Sequence, residues 1–207
     1  MNQPLNFDLN FVITDDEPSL ADDVAVDQEG NAYITDAKSS KIWKVDINGK
    51  LVSVIRNSLF RIKEWHSNFV ALNGIIYHPN GYLLVIHTAS GKLFKVYPST
   101  EQVEIVKVTG SLFMGDGLEI LSTSKIVVAG SLATRMVESF DDWETATVTG
   151  RYVGPLYRIA SAATVKDGKV YVNHLVGGGL KKRSHVIAEA VFTPASSIKK
   201  IMDFLYY

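Results

Sequence analysis

Three oxygen-bearing side chains recur at one register of this sequence. Asp22 lies eight residues before Gly30, Asn73 eight before Gly81 and Asp116 eight before Ser124. Each opens a short apolar run that closes on a turn. Carboxylates and amide carbonyls converging on one point suit a hard cation, Ca²⁺ more naturally than Mg²⁺. With no cysteine in the chain and no cluster of histidines, zinc is not favoured. The fourth copy of the slot falls on Ala160, eight before Gly168. Asp and Asn at a strand entrance also cap turns through nearby backbone N–H groups. The pairs Asn73-Gly74 and Asp116-Gly117 would suit a tight turn too, so spacing alone leaves both readings open. A second ring stands six residues after the turn position, at Asp36, His87, Gly130 and His174. Histidines there could serve as bases or substrate donors, or could simply pack at strand ends.

The elements that must carry these residues are strands. Four segments align, starting at Ala21, Leu72, Gly115 and Ile159, with slot-to-slot periods of 51, 43 and 44 residues. Each has an apolar run, a turn (QEGN, HPNG, STSK, KDGK), a second run (AYITD, YLLVIH, KIVVA, KVYVN) and a third. The first three segments add a fourth run. Turn formers at fixed offsets, with no 3.6-residue periodicity, predict antiparallel four-stranded units. Repeats of about 40–50 residues built this way are the signature of propeller blades. The segment LNFDLNFVIT near the N-terminus reads as the outer strand of a further blade, able to complete the last one. In a propeller the first strand of each blade lines the central channel, which places Asp22, Asn73 and Asp116 around one axis. The long connection RNSLFRIKEWHSNFVA, with Trp65 and His66, has the length of a lid. Residues 7–192 are expected to form the propeller domain. Residues 193–207 form a tail whose SSIKKIMDFLYY stretch predicts a short helix capped by Ser197.

Composition excludes several classes. The chain has 207 residues, 46% hydrophobic and 21% charged, with a net charge of −1. That balance offers no footprint for nucleic acid or an anionic membrane. Lys181-Lys182-Arg183 is the only basic cluster and reads as a solvated loop. There is no Cys nucleophile or disulfide, no run of about 18 apolar residues that would span a bilayer, and no signal-peptide pattern in MNQPLNFDLNFVITDDEP. A nucleophile elbow, a P-loop and a dinucleotide fingerprint are all missing. The three glycines at 177 to 179 follow no strand into a helix and read as a loop.

ADDVAVDQEGNAYITDAKSSKIWKV, LNGIIYHPNGYLLVIHTASGKLFKV, GDGLEILSTSKIVVAG and AATVKDGKVYVNHL together resemble the SMP-30/gluconolactonase/LRE-like superfamily. The likeness is closest to its plant branch of calcium-dependent phosphotriesterase-like proteins, related to strictosidine synthase-like proteins. It implies an all-β, six-bladed propeller, of which about four blades are present here, with one axial divalent cation, usually Ca²⁺. It implies hydrolysis of a small lactone, ester or phosphotriester. The family's Asn-Gly ligand motif falls on Asn73. Its Asp-Gly motif, a ligand that also acts as base or nucleophile, falls on Asp116. Its Asn-Asp entrance motif falls on Asp22-Asp23, with Asp22 as metal ligand and Asp23 on substrate. Asp36 joins the substrate-facing set, and His87 and His174 would orient substrate or shuttle a proton. The family's first-blade Glu has no counterpart, so the metal site is expected to be weakened. A catalytically inactive propeller serving as a binding scaffold is the alternative, and open blade edges would then favour self-association. A condensing enzyme of the strictosidine synthase kind would need a late Glu at the channel, whereas Glu189 sits at a third-strand position.

Overall fold

The computed structural model describes residues 17–62, 70–155, 158–176 and 185–195. Strands begin and end where the turn chemistry predicts. The first sheet contains β1 (Ala21–Val26), β2 (Ala32–Asp36), β3 (Lys41–Val45) and β4 (Leu51–Arg56). The second contains β5 (Leu72–His78), β6 (Tyr82–His87), β7 (Lys92–Tyr97) and β8 (Gln102–Thr109). The third contains β9 (Gly115–Ser122), β10 (Lys125–Gly130), β11 (Thr134–Glu138) and β12 (Thr145–Tyr152). The fourth has three strands, β13 (Arg158–Lys166), β14 (Lys169–Val176) and β15 (Val186–Glu189). Each sheet is an antiparallel meander. The first turns of the first, second and fourth sheets place Gly30, Gly81 and Gly168 at positive φ, which explains glycine at that offset.

Burial falls off from the second strand of each sheet. Every residue of β2 and β6 is buried, whereas outer strand β8 alternates. Such strands are covered on both faces, and they read as continuous apolar runs for that reason. Three apolar layers fill the spaces between sheets. Ile42, Ile55, Phe60, Leu83 and Val85 lie in the layer shared by the first and second sheets. Leu84, Ile86, Leu118, Val128 and Trp143 lie in the next. Val127, Ala129, Ala160 and Val172 fill the third. Each fully buried large aliphatic contributes about 1.5–3 kcal/mol.

The innermost strands stand side by side without a shared ladder: β1 packs on β5, β5 on β9 and β9 on β13. The second and third sheets are also joined at their outer strands. Lys107, Val108 and Thr109 of β8 pair in parallel with Thr145, Ala146 and Thr147 of β12. The same two sheets meet at Asp142, whose carboxylate accepts hydrogen bonds from Asn80, Tyr82 and Lys95.

Thr193–Pro194 forms β16, a two-residue strand on β12. The helix predicted over SSIKKIMDFLYY, Ser197 included, lies outside the described residues. So do the LNFDLNFVIT strand, Trp65, His66, the glycines at 177 to 179 and the basic cluster.

Candidate functional site

The ring slot is a β-bulge in all four sheets. Asp22-Asp23 stand between the pairs Ala21↔Asp36 and Val24↔Ile34. Asn73-Gly74 stand between Leu72↔His87 and Ile75↔Val85. Asp116-Gly117 stand between Gly115↔Gly130 and Leu118↔Val128. In each case two residues oppose one, which bends the strand and re-aims its side chains. In the fourth sheet the pairs Ala160↔His174 and Ala162↔Asn173 place the extra residue at Ser161. The fourth slot is therefore Ser161, not Ala160. An eight-residue count to the turn misses this because β13 holds one residue fewer between bulge and turn. Ser161 Oγ accepts from Asn173 Nδ2 at 3.3 Å, so all four slots carry an oxygen.

The glycines of these pairs serve close approach rather than a turn. A Cβ on Gly74 would lie 2.2 Å from the Asp116 carbonyl oxygen, and one on Gly117 would lie 2.6 Å from that of Ser161. Neighbouring innermost strands touch through these positions, which brings each slot against the next.

Asp116 feels the charges of Asp22 and Asp23 and a hydrogen bond from the Asn73 side chain. Desolvation pushes the Asp116 carboxyl up to about 7, and the charges of Asp22 and Asp23 push it the same way. Hydrogen bonds from the Gly117 N–H and the Asn73 side chain oppose that rise. Asp22 is also raised, by desolvation and then by Asp23. Asp23 is raised by burial, against hydrogen bonds from two backbone N–H groups. Those donors are Ile75 N–H to Oδ2 at 3.0 Å and Val24 N–H to Oδ1 at 2.8 Å, so Asp23 ties the first sheet to the second. Thr35, fully buried, reinforces the seam. Its Oγ1 donates to the Asn73 carbonyl at 2.6 Å and accepts from Asp23 N–H at 3.1 Å. Nothing in its residue type marks Thr35 out, since threonine is an ordinary strand former.

The second ring divides. Asp36 is fully buried, and its Oδ1 accepts from the N–H groups of Leu20, Lys38 and Ser39. His87 is also fully buried, and its Nδ1 accepts from Ser90 N–H at 3.3 Å. Both hold the turn after the second strand. Burial pushes His87 down to about 4, so it is neutral at pH 7. His174 instead lines a cavity of about 190 Å³ between the third and fourth sheets. Gly130 lines the same cavity.

As a cation site, the ring offers the carboxylates of Asp22 and Asp116, the Asn73 amide and the Ser161 hydroxyl. The donor chemistry fits a hard cation: on top of desolvation, Asp22 and Asp23 raise the Asp116 carboxyl, Asp23 raises that of Asp22, and no described cation offsets either. The set is sparse, however. Among the described residues no three Asp, Glu, His or Cys side chains gather as a ready metal cage.

No family model and no curated protein matches the chain. Solved structures do. Glutaminyl cyclase from Myxococcus xanthus aligns over 86% of this chain and 74% of its own, at 13% identity and TM-score 0.53. A catalytically inactive virginiamycin B lyase from Staphylococcus aureus, solved with Quinupristin, aligns over 84% and 56%, at 13% identity and TM-score 0.55. The allergen Mala s 1 of Malassezia sympodialis aligns over 87% and 59%, at 16% identity and TM-score 0.60. The cyclase and the lyase are β-propellers. The chain has a β-propeller fold. These likenesses, all under 25% identity, carry the fold alone. No described helix is long and apolar enough to cross a membrane.

Proposed function

We propose that this propeller is a divalent-cation-dependent hydrolase of a small lactone, ester or phosphotriester, of the SMP-30/gluconolactonase kind. The reaction would take place at the axial mouth where Asp22, Asn73 and Asp116 meet. The observation that carries the reading is Asp116, a carboxyl pushed up to about 7 by burial and two neighbouring carboxylates at the end of a bulged inner strand. Perturbed groups of this kind concentrate at functional sites. Asp22, Asn73 and Asp116 would hold Ca²⁺, which when bound polarises a carbonyl or phosphoryl oxygen. Asp116, its raised pKa lowered by the Ca²⁺ beside it, would stay ionised and able to accept the proton of the attacking water. Asp23 fixes the geometry through its two backbone hydrogen bonds and presents a substrate-facing edge. Asp36 and His87 support the ring by holding the adjoining turns, and His174 orients substrate from the neighbouring cavity.

A second reading has a specific observation in its favour. The ring has few charged ligands, and the fourth slot is a hydroxyl. A non-catalytic binding scaffold needs no more than that. Titration calorimetry with Ca²⁺ at pH 8, run beside a lactone and ester panel, separates the two. The hydrolase reading expects a dissociation constant of about 10⁻⁴–10⁻³ M, the weak end of the range for Ca²⁺ sites. It also expects turnover that EDTA abolishes and Ca²⁺ restores. Asp116→Asn should lower that turnover by about 10²-fold or more. Turnover indifferent to chelation rejects the mechanism, and no heat with no turnover leaves the scaffold.

A further inference from the structure

The bulges meet the sheets that follow them in two different ways. Where the inserted dipeptide ends in glycine, backbone stands against backbone: Gly74 against the Asp116 carbonyl, and Gly117 against that of Ser161. In the first sheet the same position is Asp23, whose Cβ rules out so close an approach. Its carboxylate instead accepts from Ile75 N–H of the second sheet at 3.0 Å. β1 and β2 both pack on β5 here. The seam between the first two sheets is thus made by side chains where the other two seams are made by glycine.

Thr35 completes that seam. It is fully buried, one residue before the end of β2. The matching residues of the second and third sheets, one before His87 and one before Gly130, are Ile86 and Ala129. Of the three sheets that lean on a following one, the first alone has a hydroxyl at this point. A threonine hydroxyl has one proton to give and lone pairs to accept with. The proton goes to the Asn73 carbonyl at 2.6 Å, while Oγ1 accepts from Asp23 N–H at 3.1 Å. The Asp23 carbonyl, at 3.3 Å, is the more distant acceptor.

The two contacts bracket one glycine. Thr35 holds the C=O of Asn73 and Asp23 holds the N–H of Ile75, so the peptide units on either side of Gly74 are both fixed by the first sheet. Asn73 has no Cα partner of its own across the ladder. Glycine leaves the backbone at 74 free to turn, so these bonds set the direction of the bulge. From that fixed backbone the Asn73 side chain reaches Asp116 and hydrogen-bonds it. The contacts run from Thr35 to Asn73 to Asp116, from the packed interior of β2 to the ring.

We propose that Thr35 is a positioning residue for the axial ring: its hydroxyl fixes the Asn73 peptide and thereby aims the Asn73 amide at Asp116. As a determinant of cation affinity this rests on the hydrolase reading. As a statement about where the Asn73 amide points it stands without it.

The test compares the full chain with Thr35→Val, which keeps the shape and removes the hydroxyl, and Thr35→Ser, which keeps the hydroxyl. In EDTA, the ¹H–¹⁵N signals of the Asn73 side-chain amide report its bond to Asp116. They should move to free-amide positions in Thr35→Val and return in Thr35→Ser. A purely structural role would lower the melting temperature and leave those signals in place. In Ca²⁺ titrations Thr35→Val should weaken binding by about tenfold or more, as loss of a group orienting a metal ligand does, and Thr35→Ser should stay within about threefold of the parent. Thr35→Ala is read instead if the valine variant does not fold, and in the parent itself the Thr35 hydroxyl proton should exchange slowly with solvent. Asn73 signals unmoved by loss of the hydroxyl overturn the proposal. So does a serine variant that behaves like valine, or a Thr35 hydroxyl proton that exchanges freely. Ca²⁺ affinity unchanged in Thr35→Val overturns the link to the cation. A parent chain that binds no Ca²⁺, with Asn73 signals that still depend on the hydroxyl, overturns the hydrolase reading and leaves the positioning role standing.

Discussion

At Asp116 the raised pKa has a definite sign for stability. Its folded-state value, about 7, lies above the unfolded value of 3.8. The proton-bound form is therefore favoured by folding. This contribution is fully present below about pH 4 and is lost as pH rises through 7. The loss is on the order of 1–2 kcal/mol once solvent screening at the channel mouth is allowed for. Chemical denaturation in EDTA should show higher stability at pH 5.5 than at pH 8. In Asp116→Asn that difference should shrink, with stability gained mainly at pH 8. A denaturation midpoint that rises with pH in the parent chain, unchanged by the substitution, would contradict this account. The residue types that make the ring were legible in the sequence, because Asp22, Asn73 and Asp116 share one register. The electrostatics were not, since they depend on how closely Asp22 and Asp23 approach Asp116. Thr134 Oγ1 and Arg135 Nη1 gave no signal either, because a buried atom without a partner among the described residues is visible only in three dimensions.

Among the elements, the bulged inner strand carries the most consequence. Gly74→Ala would drive a methyl group to 2.2 Å from the Asp116 carbonyl, where only backbone can give way. The expected cost is about 2–4 kcal/mol by urea denaturation. Gly49 is a useful control, with φ +82° but nothing within 4 Å of its would-be Cβ. Gly49→Ala should cost only about 1 kcal/mol, from backbone strain. Equal losses at the two sites would sink the close-approach argument. A second element-level device is Asp142, which Lys95 and Tyr82 reach at 2.9 and 2.7 Å. Burial would raise its carboxyl, but the hydrogen bonds from Lys95, Tyr82 and Asn80 outweigh that and hold it at about 2. Asp142→Ala leaves the buried Lys95 short of its partner and should cost about 2 kcal/mol at pH 7 in the same assay. The strands themselves were readable because turn residues and apolar runs repeat at fixed offsets. The bulges were not, because one extra residue leaves composition unchanged. That is why the fourth slot was counted to Ala160 when the ladder gives it to Ser161. The caps made by Asp36 and His87 were hidden for a related reason: a buried residue holding a turn and a residue facing a substrate have the same sequence signature.

Across the whole molecule, apolar side chains remain exposed on the terminal sheets. Val24 and Val26 are exposed on β1, and Leu175 and Ile187 on the fourth sheet. Apolar surface left exposed among the described residues invites association. Sedimentation velocity should therefore show concentration-dependent oligomers, and Leu175→Lys with Ile187→Lys should reduce them. A monomer at every concentration would contradict this expectation. The arc of sheets was legible from the repeat period. The parallel link from β8 to β12 was not, since it joins segments that no repeat alignment pairs.

The bulges also separate two jobs that most strands must combine. The ladder on either side of each slot keeps its pairing whether the inserted dipeptide is Asp-Asp, Asn-Gly or Asp-Gly. The first letter of each slot can thus be rewritten while the scaffold beneath it keeps the same grammar, with glycine held at 74 and 117 where the next strand touches. A protein built this way can acquire, lose or trade its chemistry without having to relearn how to fold.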